Sequence, residues 1–151
     1  MASRRQTVLT AIDTELRKIT VVGGFNNDIG EVAYIFKRAE RVHKFPAALI
    51  HTGGFDETKE RFPTRSKQAE LVVVVTLYMA NDVDGQKLMD FIADVEKTIE
   101  DDPRMGQTFI IDTILGAVHA VEDEDTAFGP VNRADVEIRC VYRHPMGSPA
   151  G

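Results

Sequence analysis

Residues 70–79 of the chain read ELVVVVTLYM, and this stretch decides the fold. A strand with one wet face alternates apolar and polar residues, whereas the run from Leu71 to Tyr78 is almost continuously apolar and rich in β-branched side chains. It predicts a strand from Ala69 to Met79 that is buried on both faces. A charge placed at Val74 is therefore expected to unfold the subunit.

Hydrophobic periodicity on either side of this strand predicts two helices. Apolar residues at three- and four-residue spacing predict a first helix from Ser3 to Thr20, which ends at Gly23-Gly24. A second apolar stripe follows residues 81–84, where Asn81, Asp82 and Asp84 are candidates to cap the helix N-terminus. This stripe comprises Leu88, Phe91, Ile92, Val95 and Ile99, and Pro103 and Gly106 end the helix.

Four further strands are expected, at Ile29–Lys37, at Ala47–Thr52, at Thr108–Val121 and in a last segment ending at Arg143. Gly116 interrupts the third of these, which predicts a β-bulge or a close approach of another chain segment. In the last strand, alternation places Val136, Ile138, Cys140 and Tyr142 on one face. Asp135, Glu137, Arg139 and Arg143 fall on the other.

Three segments show no regular period. Residues from Gly53 to Gln68 predict a long loop, a feature that is usually functional or mobile in a compact domain. Glu122 to Asp125 predict an acidic turn before the last strand. The segment 144–151 holds two prolines and two glycines and predicts a disordered tail.

The predicted order is α-β-β-β-α-β-β. It indicates an α+β domain with a mostly antiparallel sheet of about four to five strands and both helices on one face. A length of 151 residues suits one domain, taken as residues 1–143, with the tail 144–151 outside it. Two helices can cover one face of a sheet, yet the central strand requires two dry faces. Either another element or another protein must cover the second face.

Composition excludes several classes of protein. The formal charge of −6 and the pI near 5.2 argue against a general nucleic-acid binder. The longest apolar run is far below the ~20 residues of a membrane span. No apolar region follows Arg4 and Arg5, so no secretory signal is expected. A single cysteine, Cys140, fits synthesis in a reducing compartment.

A search for catalytic or metal-binding motifs finds no consistent set. The glycine pairs lack the spacing of a phosphate-binding loop, and the residues around Gly85 lack the ligands of an EF-hand. The four histidines show no zinc spacing, so His51 and His119 are interpreted as hydrogen-bonded or surface residues. Cys140 lies on the apolar face of its strand and is interpreted as structural. We expect no enzyme, no metal and no cofactor.

Two charge clusters of opposite sign remain. Lys37, Arg38, Arg41 and Lys44 form a basic patch, and Glu122, Asp123, Glu124 and Asp125 form an acidic one. Both are explained most simply as solvated turns. Alternatively, opposite charges on one molecule favour head-to-tail contacts between subunits.

The layout resembles the tail terminator proteins of long-tailed bacteriophages, a group that includes the tail terminator of phage lambda. Five stretches carry the resemblance across most of residues 4–144. They are RRQTVLTAIDTELRKI, FNNDIGEVAYIF, FPAALIHTGG, the strand ELVVVVTLYM with the helix DGQKLMDFIADVEKTIEDDPRMGQ, and ADVEIRCVYRH. They share order, length and hydrophobicity, and contain no catalytic signature.

The resemblance implies a structural virion protein. Such proteins form a hexameric ring that caps the tail tube, ends its polymerisation and joins the tail to the head. The implied partners are further copies of the chain, the major tail tube protein and a neck or connector protein, at the head-proximal end of the tail after synthesis in the host cytoplasm. No membrane and no sequence-specific nucleic acid are implied, although DNA passes through a ring of this kind.

Candidate interface residues follow from the chemistry of the loops and charge clusters. Arginine and aromatic side chains in loops are the usual anchors of protein interfaces. The candidate interface residues are Phe55, Arg61, Phe62 and Arg65 in the long loop, Arg38 and Arg41 as basic contacts, and Glu122, Asp123, Glu124 and Asp125 as acidic contacts. Three alternatives stay open at this point. They are another head–tail connector, a small cytoplasmic ligand-binding or enzymatic domain, and a module that binds host proteins.

Overall fold

The computed structural model describes residues 3–34, 44–51, 56–61, 66–82, 84–126 and 129–145. Within these residues the chain forms two α-helices and six β-strands. In chain order they are α1 (Arg4–Leu16), β1 (Glu31–Tyr34), β2 (Ala47–Ile50), β3 (Asp56–Arg61), β4 (Ser66–Ala80), α2 (Gln86–Asp101), β5 (Ile110–Thr126) and β6 (Gly129–Pro145). The α+β class is confirmed, and so is the predicted order of seven elements, to which β3 is added.

All strands belong to one sheet. Its main path runs β1-β2-β4-β6-β5, and β3 pairs with β4 outside that path. Only β1 and β2 pair in parallel among the described strands, so the sheet is mostly antiparallel as predicted. Because β6 follows one edge of β4 along its whole length, β2 and β3 share the other edge, one after the other.

Both helices pack on one face of the sheet, which confirms the predicted layering. Val8, Ile12 and Leu16 of α1 and Phe91, Val95 and Ile99 of α2 are buried. They join one hydrophobic core with alternate residues of the two central strands: Leu71, Val73, Val75, Leu77 and Met79 of β4, and Ala134, Val136, Ile138, Cys140 and Tyr142 of β6. The alternation predicted for the last strand is thus confirmed. Neither helix in the described ranges is long and apolar enough to cross a membrane.

The predicted loop from Gly53 to Gln68 is wrong over most of its length. Asp56 to Arg61 form β3, and β4 begins at Ser66, so the two make an antiparallel hairpin in which Asp56 lies opposite Val72 and Arg61 opposite Lys67. The strands escaped detection because their sequences, DETKER and SKQ, carry no apolar alternation. Backbone pairing to a long neighbour can hold a polar strand that hydrophobic patterning cannot reveal.

The acidic turn predicted at Glu122 to Asp125 is also wrong. These residues lie in β5, where Glu124 pairs with Val131 and Asp125 with Pro130, and the hairpin connection comes later, between Thr126 and Gly129. A run of like charges has no strand periodicity, so its sequence indicates a turn although the ladder continues through it. At the other end, β6 extends to Pro145, which moves the end of the last strand two residues beyond Arg143 into the predicted tail.

The central strand β4 is buried on both faces only in its second half. Residues 75–79 are all buried, which confirms the prediction there. Val72 and Val74 are only half-buried, and their side chains lie on the face opposite the helices. The expectation that a charge at Val74 would be stranded in a dry core therefore does not hold.

The prediction of a bulge at Gly116 is confirmed, whereas none of the predicted residues Asn81, Asp82 and Asp84 is the N-cap residue of α2. The register of β5 against β6 shifts between Leu115 and Val118, which places Gly116 in a β-bulge. It is also a point of close approach, because a Cβ atom there would lie 2.7 Å from Nε of Arg139. At α2 the N-cap residue is Gly85, while the carboxylate of Asp82 accepts hydrogen bonds from the backbone amides of Lys87 and Leu88 at 3.0 and 2.9 Å.

Candidate interface on the sheet

The sheet face opposite the two helices, here called the helix-free face, divides into two zones. Near β1 and β2 a second, smaller apolar cluster is almost fully buried: Ala47, Leu49, Tyr78 and Val131. Along the first half of β4 the face is more open, with Val72 and Val74 half-buried between charged side chains. The open zone can therefore bury further apolar area only against another molecule or segment.

A chain of hydrogen bonds crosses the middle of this face and joins three strands. Nε2 of His51, just after β2, lies 2.7 Å from the hydroxyl of Thr76 on β4. That hydroxyl donates to Oδ1 of Asp135 on β6 at 2.7 Å. Arg133 completes the chain with two bonds to the same carboxylate, at 3.3 and 2.9 Å.

The direction of these hydrogen bonds decides which chemical role the four hydrogen-bonded side chains can have. Thr76 has one hydroxyl proton and donates it to Asp135, so Nε2 of His51 is the donor to Thr76. His51 then cannot act as the general base for that hydroxyl, which a nucleophilic triad requires. The group therefore serves as a cross-strand clamp that aligns β2, β4 and β6.

The carboxylate at the centre of the clamp is stabilised in its charged form. Burial alone would raise the pKa of Asp135, but the hydrogen bonds from Arg133 and Thr76, together with the Arg133 charge, outweigh burial and lower it. His51 adds a smaller lowering effect. Asp135 is thus ionised at neutral pH.

A row of charges borders the open zone. Arg139 on β6 forms ion pairs with Glu70 on β4 at 3.4 Å and with Glu137 at 3.2 Å. Its side chain extends over Gly116 of the β5 bulge, and Glu137 also accepts from the Ala117 amide at 3.4 Å. Half-buried apolar residues beside a charged row are typical of the core and rim of a protein interface.

The outer strand β5 carries the most conspicuous apolar exposure on the sheet. Ile114 is 52% exposed and Val118 is 45% exposed, two of the five exposed large hydrophobic residues found in the described part of the chain. Single exposed hydrophobic residues are common on soluble proteins. Ile114 lies opposite Arg139 on the helix-free face, next to the open zone, whereas Val118 lies opposite the core residue Val136 on the face of the helices. Of the two, only Ile114 extends the candidate contact surface.

The structure describes only some of the predicted interface residues. Phe55, Phe62, Arg65, Arg38 and Arg41 lie outside the described residues. Arg61 is the last residue of β3 rather than part of a loop, and Glu122, Asp123, Glu124 and Asp125 lie in β5 rather than in a turn. The described backbone thus joins none of these candidates into one site, and whether they form an interface stays a prediction.

The residues of the clamp and of the β5 edge were not singled out from the sequence. The sequence predicts His51 to be a hydrogen-bonded or surface residue, and its contact with Thr76 shows the first of these. Between Leu71 and Leu77, Thr76 carries the one hydroxyl, and this interruption is the signal that the sequence offers. Nothing in the sequence pairs it with Asp135, because residues 59 positions apart meet only through the register of β4 and β6.

Two further observations concern reactive groups. Within the described ranges no three His, Cys, Asp or Glu side chains are grouped to hold a metal ion. Cys140 is fully buried, and burial raises the pKa of its thiol to about 11. The thiol is therefore protonated and inert at neutral pH, in line with a structural role.

Neither the models of known protein families nor the sequences of curated proteins match this chain. What the helix-free face and the β5 edge can do must therefore follow from their own chemistry.

Proposed function

We propose that this protein is a structural virion protein of the tail-terminator type. Its copies assemble into a ring, hexameric by resemblance, that caps the phage tail tube, ends its polymerisation and offers the surface to which the head or neck binds. The observation that carries the proposal is the open zone of the helix-free face, where Val72 and Val74 lie half-buried between ion-paired charges.

The chemistry of that face favours a protein partner over a small substrate. Its polar groups are already bonded to one another, from His51 to Arg133 and from Glu70 to Glu137. A ligand site needs convergent polar groups that are free to bind the ligand. A protein surface needs apolar area with a satisfied polar rim, and this face supplies both.

The order and lengths of the elements add support. The five stretches that resemble tail terminators comprise α1, β1, β2, the apolar half of β4 with α2, and β6. In this arrangement α1 and α2 stabilise the subunit from one side and leave the other side of the sheet for contacts. An assembly subunit requires this division between a folded core and a contact surface.

The test combines native mass with tube capping. The purified chain is measured by native mass spectrometry over a concentration series, and is then added to tail tube protein that is polymerising in vitro. We expect a species of about 101 kDa, six times the 16.8 kDa chain. We also expect shorter tubes that carry the protein at one end in electron micrographs.

Each outcome has a distinct meaning. Rings that bind tube ends support a terminator, whereas rings that leave tube length unchanged and bind a purified neck or portal protein instead indicate another connector. A chain that neither assembles nor binds tube or neck protein contradicts the proposal.

A further inference from the structure

The turn between α1 and β1, residues 20–24, exposes two neighbouring valines and is here called the valine turn. Val21 is 55% exposed and Val22 is 100% exposed. Among the five exposed large hydrophobic residues of the described chain, these are the only two that are adjacent in sequence. The side chain of Val22 buries no apolar area in the folded subunit, so it can do so only against another molecule.

Hydrogen bonds hold the valine turn in one conformation. The amide of Gly23 donates to the carbonyl of Thr20, and the amide of Gly24 donates to the carbonyl of Val21, both at 3.1 Å. The carboxylate of Asp28 accepts from the Val21 amide at 2.7 Å. A surface that is already ordered binds a partner without the entropic cost of ordering, which favours a contact role for this turn.

The segment that follows the valine turn is anchored to α2. Asp94 of α2, only 1% exposed, accepts from the backbone amides of Asn26 and Asn27 at 2.8 and 3.0 Å. The ammonium of Lys97 lies 4.4 Å from the centre of the Phe25 ring, which packs against the hydrophobic core. These contacts place the valine turn in the layer of the helices, on the side of the sheet away from the helix-free face.

The open zone of the helix-free face offers the matching apolar surface. Val72 of β4 and Ile114 of β5 lie on either side of Arg139 of β6, because both pair with that residue. Val74 continues the apolar strip along β4, and Ile114 is 52% exposed at its end. The strip lies between strands that hold it in place, so it can receive a small apolar projection without rearrangement of the sheet.

The charges beside both surfaces are paired within the subunit. Next to the valine turn, Lys18 pairs with Glu15 at 2.7 Å and Lys97 with Asp101 at 3.8 Å. In the open zone, Arg139 forms the two ion pairs described above. Contact between the two surfaces therefore buries apolar area beside satisfied polar groups, the combination found in protein interfaces.

We propose that the valine turn of one copy of this chain binds the open zone of a second copy, against Val72, Val74 and Ile114. The two surfaces lie on opposite sides of the sheet, so one copy cannot bring its own valine turn onto its own open zone. The contact is head to tail, repeats from copy to copy and closes into a ring when its rotation permits. This inference rests on the ring of the proposed function and identifies the contact between its subunits.

The first experiment adds a charge to the valine turn. Val22→Asp changes a fully exposed side chain, and the matched control Met89→Asp adds the same charge to an apolar side chain that is 63% exposed on α2. We expect Val22→Asp to raise the dissociation constant for self-association about tenfold or more, measured by sedimentation velocity. Met89→Asp is expected to assemble like the wild type. Thermal unfolding verifies that both variants fold.

A second experiment tests which surfaces meet, by crosslinking with a short bis-maleimide. Val22→Cys places a thiol on the valine turn, and Ile114→Cys places one at the end of the open zone. The native Cys140 is buried, so it does not compete for the reagent. A mixture of the two variants is expected to crosslink between copies, whereas neither variant alone is.

Several outcomes would overturn the inference. Val22→Asp that assembles like the wild type, or Met89→Asp that weakens assembly equally, would show that the valine turn is not the contact. Crosslinks in Val22→Cys alone would indicate two-fold pairing of the turns, and crosslinks in Ile114→Cys alone would indicate pairing of the helix-free faces. A wild-type chain that stays monomeric at all concentrations would also overturn it.

Tube capping separates this inference from the proposed function. Rings that persist in Val22→Asp and still cap tail tubes would refute only the contact. Rings that form through the valine turn but leave tubes uncapped and unbound would refute only the function.

Discussion

At the scale of the residue, the neighbouring valines Val73 and Val74 of β4 differ in their burial. Val73 is fully buried in the core beneath the helices, whereas Val74 is half-buried on the helix-free face, opposite Glu137. We expect Val73→Asp to cost about 4 kcal/mol or more of unfolding free energy, because it strands a charge in the core. Val74→Asp should cost only about 1–2 kcal/mol, mainly from repulsion by Glu137.

Urea unfolding of both variants measures this difference, with Val74→Lys as the control, since a lysine opposite Glu137 forms a favourable pair. Equal losses for Val73→Asp and Val74→Asp would show that the helix-free face is as dry as the core.

Two glycines that sequence alone cannot rank are distinguished by their surroundings. A Cβ at Gly30 would lie 2.9 Å from backbone atoms of Lys44 and Phe45, whereas at Gly116 its closest neighbour is the flexible end of Arg139. We expect Gly30→Ala to cost about 1–3 kcal/mol, because backbone must shift. Gly116→Ala should cost under about 1 kcal/mol, since Arg139 can move. Paired thermal melts measure both, and a larger loss for Gly116→Ala would contradict the packing described for Arg139.

At the scale of the element, Asp82 links the start of α2 to β6. Its carboxylate accepts from Lys87 and Leu88 amides and from Asn132 Nδ2 at 3.2 Å, and Asn132 also donates to the Asp82 carbonyl at 2.7 Å. Burial would raise the pKa of Asp82, but these hydrogen bonds and the Lys87 charge lower it below its ordinary value of 3.8. The charged carboxylate thus stabilises the folded chain.

We expect Asp82→Ala to cost about 1 kcal/mol at neutral pH, measured by urea unfolding. Because the folded pKa is depressed, this contribution is complete above pH 3.8 and disappears as pH falls below it through the folded pKa. The free energies of unfolding of the wild type and of Asp82→Ala should therefore become equal in acid. Asp84→Ala is the control, since Asp84 accepts only the exposed Gln86 amide at 3.1 Å in the described contacts. A gap between wild type and Asp82→Ala that persists in acid would assign the loss to packing instead.

For the whole molecule, the proposed ring predicts how assembly responds to salt. The open zone offers the half-buried Val72 and Val74, and the charges beside them are already paired within the subunit. Raising ionic strength from about 0.01 M to about 1 M shortens the Debye length from ~30 Å to ~3 Å and screens exposed charges. We expect the dissociation constant for self-association to change less than about tenfold over this range, as followed by sedimentation velocity. A steeper rise would indicate a contact dominated by complementary charge rather than by apolar area.

The amino-acid sequence by itself determined the helices, the apolar strands and the α+β class. These follow from periodicity, since a core-facing side must repeat every 3.6 residues in a helix and every two in a strand. The spacing of Val8, Ile12 and Leu16 and the apolar run from Leu71 were sufficient. The same rule explains the bulge at Gly116, where the pattern breaks.

Tertiary structure alone decided the rest. The polar strand β3 and the acidic end of β5 are strands because neighbouring strands pair with them, and backbone pairing leaves no mark on side-chain pattern. The clamp from His51 to Arg133 exists because sheet register brings distant residues together. Which half of β4 stays dry, and which edge of the sheet stays free, depends on where other elements pack. Burial is a property of the neighbours that surround a residue, and the order of residues along the chain does not specify those neighbours.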